Sequence, residues 1–566
     1  MISNAIKEQI EKLFSEKKYQ EVIEISDKFI NQNERPPGLA SVLGTCKFLK
    51  KNRTEKDVES GLSLFEEAYL KGGNGIHSLT GVTNYINGSI EIATKNYSFR
   101  KYVKKAETYF YESERYFGEH PNFLIAAKDL FTYQLNETQK RKIINKLILN
   151  KNTPIVEKTG SIFYKNYIYD WSQEEYTRQV EINSLNFPKY KVKDLSKINF
   201  KENEKIYIGF VSSDFTDTHS IFYFLKDTIR YFDTKNFKIF FFSFKRAEIN
   251  KHFQKEVKNL PHEFIDVTNV KNQEVVDLIQ SKKINILIDL MGLTSIEKVP
   301  IFNSRISPIQ ISWLASNNTN GFKNIDYLIA DENVIPKNEE KFYPEKIIKI
   351  SDIWNSHCGF EMERKKQKSP CETNEYFTFG SLNNFYKISD ETINNWSQIL
   401  NKCPNSKLLL KSSTFKCDPD KLLDKFDSFG VSEKIILDDI RKYPHKDGHL
   451  NVYNNIDLAL DTFPYNGVTT TFEALWMGVP VIVLKGFNFN SKCGYSIIKN
   501  SNFKNLIANN MTEYVDKAVY FYNNRKEFLE LKNELFKNIL STPLFQTKKF
   551  SKDFCNSLLN IYKKSL

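Results

Sequence analysis

IYIGFVSS at residues 206–213 and INILIDLMG at residues 284–292 bound the stretch of sequence that determines the fold. Between them the chain alternates a further apolar run with amphipathic segments: SIFYFLKDTIRYF (220–232), FKIFFFSF (237–244) and NQEVVDLIQSKK (272–283). Short continuous runs of Ile, Phe, Val and Leu are typical of strands buried on both faces of a parallel sheet, and the amphipathic segments have helical spacing. The stretch therefore predicts an α/β fold with a doubly wound parallel sheet.

The same alternation restarts after a polar, proline-containing stretch, RKKQKSPCETNE at residues 364–375, which we interpret as a linker. Four apolar runs follow it: YFTFGSL (376–382), SKLLLKSS (406–413), NIDLALDTFP (455–464) and PVIVLKG (480–486). We therefore predict two α/β lobes that face a cleft, the first over residues 205–365 and the second, with closing helices, over residues 375–566. Ligands of such folds bind where strands end and helices begin.

Residues 1–195 have helical spacing throughout and predict an all-α domain in front of the two lobes. Three segments resemble the second helices of successive helix pairs, at spacings of about 40 residues: KKYQEVIEISDKF (17–29), VESGLSLFEEAYLKG (58–72) and YVKKAETYFYESERYF (102–117). This pattern is similar to tetratricopeptide repeats, although the full consensus is nowhere complete. A plain helical bundle is the alternative.

Composition narrows the class of protein. The 566 residues exceed what one hydrophobic core usually organises. The net charge of +12 is spread along the chain without a basic block, so nucleic-acid binding is not favoured. The seven cysteines are odd in number and form no C-x-x-C pair, which argues against disulfides and zinc. No apolar stretch approaches the roughly 18 residues of a membrane span, and we expect a cytoplasmic protein.

The segment LDTFPYNGVTTTFEALWMGVPVIVL at residues 460–484 carries the strongest chemical signal. A buried strand is predicted to end at Asp461, and the threonines 469–471 are predicted to open a helix. Free backbone N–H groups at a helix start, with hydroxyls beside them, suit a phosphate or diphosphate, and Glu473 could bridge a ribose diol. The alternative is structural: the threonines cap the helix and Glu473 interacts with its dipole.

This segment resembles the nucleotide-binding motif of the O-GlcNAc transferase and SPINDLY family, glycosyltransferase family 41. Three further stretches are similar to family motifs in the family's order: VSSDFTDTHSIFYFL (211–225), SPIQISWLASNNTNGFKNIDYLIAD (307–331) and FGSLNNFYKISDETINNWSQILNKCPNSKLLL (379–410). The resemblance covers about residues 205–545. It implies a GT-B-type enzyme with two Rossmann-like lobes behind a tetratricopeptide-like front, which inverts the anomeric centre and needs neither a metal nor a cofactor.

The resemblance also implies roles for residues of the second lobe. Lys387 matches the family's phosphate-contacting lysine, and Asn384 occupies a position near the phosphates. Thr469 and Thr470 match a phosphate-binding threonine pair, and Glu473 matches an acidic position expected to hold the ribose. Without the resemblance, a lysine just before a helix is usually only solvated.

His219 matches a histidine beside the active-site cleft of the family and could act as catalytic base or position the acceptor. A lone histidine at a helix start is more often a cap or a surface residue. His449 matches a histidine near the nucleotide base, with Lys446 beside it. Gly467 and Leu314 are the remaining positions expected to contact the nucleotide-sugar.

The sequence departs from animal O-GlcNAc transferases at Val468, where they have His, and at residues 315–317, where they have Gly-Tyr-Pro. Other signatures are closer to SPINDLY, some members of which transfer fucose from GDP-fucose. We expect transfer of GlcNAc from UDP-GlcNAc to Ser or Thr of proteins held by the helical front. The alternatives are O-fucosylation, a lipid or glycan acceptor, and a non-catalytic scaffold. The triplet 418–420, formally D-x-D, is interpreted as a solvated loop rather than a metal site.

Overall fold

The structure is a computed structural model that describes residues 3–30, 35–195, 205–216, 219–245, 251–314, 316–360, 362–412, 417–439 and 448–565. The chain divides into two compact units. The first comprises Met1–Glu157 and Thr414–Asp424, and the second comprises Lys158–Ser413 and Lys425–Leu566. Among the described residues, none of the helices is both long enough and apolar enough to cross a membrane.

The first unit is built from consecutive helices: α1 (Asn4–Ser15), α2 (Tyr19–Phe29), α3 (Pro37–Leu49), α4 (Glu55–Lys71), α5 (Ile76–Lys95), α6 (Arg100–Phe117), α7 (Pro121–Tyr133) and α8 (Glu137–Leu149). Helices α2, α4 and α6 are the three segments that the sequence predicts as second helices of pairs. Two tyrosine hydroxyls join α4 to α6: Tyr69 of α4 donates to Glu112, and Tyr102 of α6 donates to Glu59. The residues of each pair are 43 positions apart in sequence. These two bonds fix the register of α4 against α6, and a genuine repeat over this region stays a prediction.

The second unit starts with a helical segment, in which α9 (Ile155–Tyr164) continues into a 3₁₀ turn (Lys165–Tyr167) and is followed by α10 (Gln173–Ser184). The first lobe then follows: β1 (Ile206–Ser212), α11 (Ser220–Arg230), β2 (Phe237–Ser243), α12 (Lys251–Val257), β3 (His262–Asp266), α13 (Asn272–Ser281), β4 (Ile286–Asp289), β5 (Ile309–Ser312), β6 (Tyr327–Ala330) and β7 (Lys346–Lys349). Its strands are all parallel, in the order β3-β2-β1-β4-β5-β6-β7.

The second lobe contains β8 (Phe377–Ser381), α14 (Asp390–Lys402), β9 (Ser406–Ser412), α15 (Pro419–Asp427), β10 (Ile435–Asp439), β11 (Leu458–Leu460), α16 (Thr469–Trp476), β12 (Val481–Leu484), α17 (Phe489–Asn500), β13 (Ile507–Ala508), α18 (Met511–Asn523) and α19 (Arg525–Asn538). Its sheet is also fully parallel, in the order β10-β9-β8-β11-β12-β13. Two parallel sheets behind a helical region confirm the predicted fold class.

The last helix, α20 (Thr547–Lys564), returns to the first sheet. Its apolar face shares a core with β1, β2 and β4, and the rings of Phe554 and Trp313 lie 4.4 Å apart. The closing helix thus covers the first lobe, although it follows the second in sequence. The domain boundaries that the sequence suggests, 1–195, 205–365 and 375–566, stay predictions.

The D-x-D triplet is not the solvated loop that we expected. Asp418 is only 5% exposed, its backbone N–H donates to the carbonyl of Tyr133 at 2.7 Å, and Asp420 pairs with Arg100. Asp418 is therefore buried within the first unit just before α15 begins, whereas the Asp420 side chain stays 55% exposed. Nowhere in the described ranges do three or more His, Cys, Asp or Glu side chains cluster as a metal site would require.

Candidate active site

A buried carboxylate organises the turn that follows β11. Asp461 is 1% exposed, and its Oδ1 accepts hydrogen bonds from the N–H groups of Thr462 at 2.9 Å and Gly467 at 2.7 Å. Burial raises the pKa of Asp461 to about 7, against the opposing effects of the Gly467 hydrogen bond and the Lys387 charge. The Asp461 side chain thus joins the two ends of the turn that contains Pro-Tyr-Asn-Gly.

Gly467 is the point of closest approach in this turn. A Cβ atom at this position would lie 2.3 Å from Thr470 Oγ1 and 2.6 Å from Asn383 Oδ1. Neither neighbour is free to move, because Thr470 Oγ1 donates to Asn383 Oδ1 at 2.9 Å. The glycine therefore lets the turn that follows β11 pack against the end of β8.

Helix α16 begins at Thr469, as predicted, and its start has no side-chain cap. The N-cap residue is Val468, which cannot accept a hydrogen bond through its side chain. Thr470 donates to Asn383, and the Thr471 hydroxyl donates to the carbonyl of Gly467 at 2.7 Å. The first N–H groups of a helix have no acceptor within it, so this uncapped start can receive an anion.

Lys387 reaches the same turn from β8. It ends a 3₁₀ turn, Phe385–Lys387, and its Nζ donates to the carbonyl of Asn466 at 2.8 Å. The ammonium lies 4.6 Å from the centroid of the Tyr465 ring. Burial lowers the pKa of Lys387 to about 8, while the negative charge of Asp461 acts to raise it. A positive charge therefore lies beside the uncapped helix start, at the carboxyl ends of two adjacent strands.

Asn384 and Asn383 have different environments although they are adjacent. Asn384 is exposed, and its side chain accepts from the N–H of Tyr386 at 3.1 Å, which caps the 3₁₀ turn. Asn383 is buried and joins Thr470 to Asp461, donating to Asp461 Oδ1 at 3.2 Å. The sequence identified Asn384 and missed Asn383, which is part of the network beneath the helix start.

Glu473 is paired within the second lobe. It is 6% exposed, its Oε1 lies 3.0 Å from Nε2 of His449, and its Oε2 accepts from the Tyr453 hydroxyl at 3.0 Å. Burial raises the pKa of Tyr453 well above its usual range, and the negative charge of Glu473 raises it further. The structure thus places His449 in contact with Glu473, while their expected roles at the nucleotide stay predictions. Lys446 lies outside the described residues.

His219 and Leu314 belong to the first lobe. His219 precedes α11, where its Nδ1 accepts from the N–H of Ile221 at 3.4 Å and its Nε2 lies 3.9 Å from Asp214 Oδ1. Partial burial lowers the pKa of His219, so the imidazole is neutral near pH 7. Leu314 follows β5 with a positive φ of 67°, a strained conformation for a branched side chain. These contacts of His219 lie within the first lobe, whereas Lys387, Gly467 and Thr470 meet one another's neighbours within the second lobe.

The two lobes contact each other beside this site. Asp331, which follows β6, accepts from the Ser496 hydroxyl of α17 at 2.7 Å, and Lys492 of α17 forms an ion pair with Glu339. The His357 ring packs 5.2 Å from Phe224 of α11 and 5.7 Å from Phe472 of α16. Helices that begin near His219 and at Thr469 are therefore braced by one aromatic cluster.

Comparison with known proteins identifies relatives of the whole two-lobe region. The family model of glycosyl transferase family 41 matches residues 179–357 and 362–554. A probable UDP-N-acetylglucosamine–peptide N-acetylglucosaminyltransferase SPINDLY of Petunia hybrida is 28% identical over 372 residues, 65% of this chain and 40% of the relative. A protein of Arabidopsis thaliana, similarly described but called SEC, is 28% identical over 375 residues, 63% of this chain and 37% of the relative.

Among solved structures, a mutant of the Thermobaculum terrenum O-GlcNAc transferase has a similar fold. The TM-score is 0.74 at 19% sequence identity, over 90% of this chain and 95% of that one. The chain spans about 40% of the length of the curated plant relative from Petunia. Because the family model covers most of both lobes and the fold agrees, the chain belongs to glycosyl transferase family 41.

Proposed function

We propose that this protein is a protein O-glycosyltransferase that transfers GlcNAc from UDP-GlcNAc to serine or threonine of acceptor proteins. The observation that carries the proposal is the meeting of the Lys387 ammonium with the uncapped start of α16 across the Gly467 turn. A cation and free N–H groups at one place suit a diphosphate leaving group. The chain belongs to glycosyl transferase family 41, which supports a sugar donor with such a leaving group.

The residues support a single displacement. The acceptor hydroxyl oxygen attacks the anomeric carbon, the bond from that carbon to the diphosphate oxygen breaks, and the configuration inverts. Lys387 and the N–H groups of Thr469 and Thr470 stabilise the negative charge that develops on the leaving diphosphate. His219 is proposed to receive the hydroxyl proton or to orient the acceptor, since a neutral imidazole can do either. No step in this scheme needs a metal.

Donor identity is the finer part of the proposal. The plant relatives are described as UDP-N-acetylglucosamine–peptide N-acetylglucosaminyltransferases, which favours UDP-GlcNAc here. Val468 is apolar where animal O-GlcNAc transferases have His, and this difference keeps GDP-fucose as the second candidate. The helical repeats of the first unit are proposed to hold the polypeptide acceptor.

Thermal unfolding with UDP, GDP, UDP-GlcNAc and GDP-fucose tests the proposal directly. A ligand that binds only the folded chain stabilises it by about 2.7 kcal/mol at a concentration of 100 times Kd. We expect the uracil nucleotides to raise the melting temperature of the wild type and to raise that of Lys387→Ala by less. A rise with guanine nucleotides alone would move the donor to GDP-fucose. No rise with any of the four would favour the scaffold alternative.

Transfer itself is measured with radiolabelled UDP-GlcNAc and a protein acceptor, with and without a chelator. We expect unchanged rates in the chelator, because Lys387 and the helix start take the role that a metal has in other transferases. Activity lost in the chelator and restored by a divalent cation would contradict the metal-independent scheme.

A further inference from the structure

Tyr465 lies between the proposed catalytic lysine and a tyrosine of the helical segment that precedes the first sheet. The Lys387 ammonium is 4.6 Å from the centroid of the Tyr465 ring. The ring of Tyr167 is stacked against Tyr465, with centroids 4.5 Å apart and planes inclined by 16°. Two groups therefore fix Tyr465: an ammonium over its ring and a second ring parallel to it.

The residue that precedes Tyr167 is held by hydrogen bonds from both lobes. This residue, Asn166, is completely buried and accepts, through Oδ1, from the amide of Asn318 at 2.9 Å and from the amide of Asn488 at 3.4 Å. Asn318 belongs to the first lobe and Asn488 caps α17 of the second. The 3₁₀ turn Lys165–Tyr167 is thus anchored at the place where it presents its ring to Tyr465.

The Lys387 ammonium can bind a diphosphate well only if neighbouring groups fix its direction. The lysine side chain has four rotatable bonds, and a diphosphate recognises the ammonium as a point charge without fixing its direction. The Asn466 carbonyl supplies one hydrogen bond to Nζ, and the Tyr465 face attracts the cation from a second direction. The Tyr167 ring keeps Tyr465 in the orientation that presents this face.

We propose that Tyr465 and Tyr167 are positioning residues for Lys387, so that the active site includes the segment Lys165–Tyr167 in front of the first sheet. The inference rests on the proposed function, because it assumes that Lys387 contacts the donor diphosphate. It adds two aromatic residues that act through the lysine, one of them from a helical segment outside both sheets.

Nucleotide affinity in a set of variants is the first test. UDP and GDP are titrated into wild type, Tyr465→Leu and Tyr167→Leu, and the Kd of the nucleotide that binds the wild type is compared. We expect Tyr465→Leu to weaken binding about tenfold and Tyr167→Leu about threefold, since a cation over an aromatic ring contributes at this level. Tyr465→Phe and Tyr167→Phe keep the rings and are expected to stay within about twofold of wild type.

The same substitutions in a Lys387→Ala background separate positioning from general damage. Positioning residues act through the lysine, so the Leu variants are expected to cause no further loss there. An equal loss with and without Lys387 would overturn the proposal, as would Phe variants as weak as the Leu variants. Tyr169→Leu is the matched control, because Tyr169 packs on Phe487 from the same segment at 5.7 Å, and wild-type affinity is expected.

Amine labelling of Lys387 supplies a readout that needs no nucleotide. Acetic anhydride labelling at several pH values, followed by mass spectrometry, gives the pH midpoint of the lysine. We expect Tyr465→Leu to move this midpoint downward, because the variant lacks the ring face that attracts the ammonium, and Tyr465→Phe to leave it in place. An unchanged midpoint in Tyr465→Leu would overturn the positioning role. A shifted midpoint in a chain that binds neither UDP nor GDP would leave the positioning in force and remove the proposed function.

Discussion

Each lobe buries an aspartate just beyond the end of a parallel strand, and the two are used differently. Asp331, after β6 of the first lobe, has both oxygens engaged: N–H groups of Asn333 and Val334 reach Oδ1, and the Trp354 N–H and Ser496 hydroxyl reach Oδ2. Asp461, after β11 of the second lobe, receives three donors on Oδ1 alone. Its buried Oδ2 has no hydrogen-bond partner among the described residues.

The difference separates a structural carboxylate from one that belongs to a site. Burial raises the pKa of Asp331 to about 6 and that of Asp461 to about 7, so the cause is common to both. Asp331 accepts three hydrogen bonds from N–H groups of its own lobe and one from Ser496 of α17, which joins the two lobes. Asp461 lies near the Lys387 charge and shapes the Gly467 turn around it. Under the proposed function, strand ends of one fold thus carry the same residue for stability in one lobe and for ligand binding in the other.

The largest effect is expected for Lys387→Ala. Removing one preorganised donor from a developing negative charge costs about 10² to 10³ in turnover, and kcat/KM for the nucleotide-sugar measures it. The fold should be retained, because the ammonium donates to a single recorded carbonyl, that of Asn466. Lys434→Ala is the control, since Lys434 bonds the Leu400 carbonyl at 2.7 Å elsewhere in the lobe. A wild-type rate for Lys387→Ala would remove the lysine from the reaction.

The two aspartates can be compared directly as asparagine variants. Asp461→Asn removes the charge that raises the Lys387 pKa, so less of the lysine is protonated, and kcat/KM measured at pH 8 should fall about fivefold. Asp331→Asn places an NH₂ group against one of the donors and should instead lower the free energy of unfolding by about 1–3 kcal/mol. Urea unfolding and kcat/KM are measured for both variants. The comparison fails if the Asp331 variant loses activity and the Asp461 variant does not.

The sequence anticipated the elements of the fold because apolar periodicity is a local signal. The runs at 206–213 and 480–486 became strands β1 and β12, and the threonines from Thr469 open α16. Contacts between residues far apart in sequence could not be predicted from this local signal. Nothing near Asp418 in sequence reveals that Tyr133 covers it, and nothing near Tyr465 reveals the ring of Tyr167.

Adjacent residues show the same limit within the candidate site. Asn383 and Asn384 are chemically identical, and only the direction of the chain after β8 decides which one faces Thr470. The resemblance to family 41 suggested the outer one of the pair. Polar residues at the carboxyl ends of β8 and β11 were the available signal for Asn383 and Asp461, since these ends meet at one edge of the sheet.

The pH dependence of turnover tests the role of the charge on Lys387, which lies beside Asp461 at the end of β11. Under the proposed function the ammonium of Lys387 is the form that stabilises the leaving group, and it is lost as pH rises through its pKa of about 8. We expect kcat/KM to fall about tenfold per pH unit above that value, and kcat to fall at higher pH, because a bound diphosphate raises the pKa. Lys387→Arg should flatten the profile, since Arg keeps its proton. A flat wild-type profile to pH 9.5 would show that the lysine charge is not required.

Replacing His357 is expected to change activity least among these variants and to change the pH dependence of stability clearly. His357 lies between the lobes, where its Nδ1 accepts from the N–H of Gly359 at 2.9 Å, and burial lowers its pKa to about 3. The unfolded chain takes up a proton below pH 6.5, and the folded chain does so only near pH 3. Stability from the neutral ring is therefore complete above pH 6.5 and is lost as pH falls from 6.5 towards 3.

Urea unfolding of wild type and His357→Phe at pH 7 and pH 5 measures this contribution. At most about 1.4 kcal/mol is lost per pH unit, so the wild type should lose up to about 2 kcal/mol more than the variant over this interval. Nucleotide affinity at pH 7 should match that of wild type, because His357 braces α11 and α16 behind their starts and contacts neither Lys387 nor Gly467 among its recorded neighbours. Equal pH slopes would mean that the ring is protonated in the folded chain, and the aromatic cluster would then have to accommodate a buried cation.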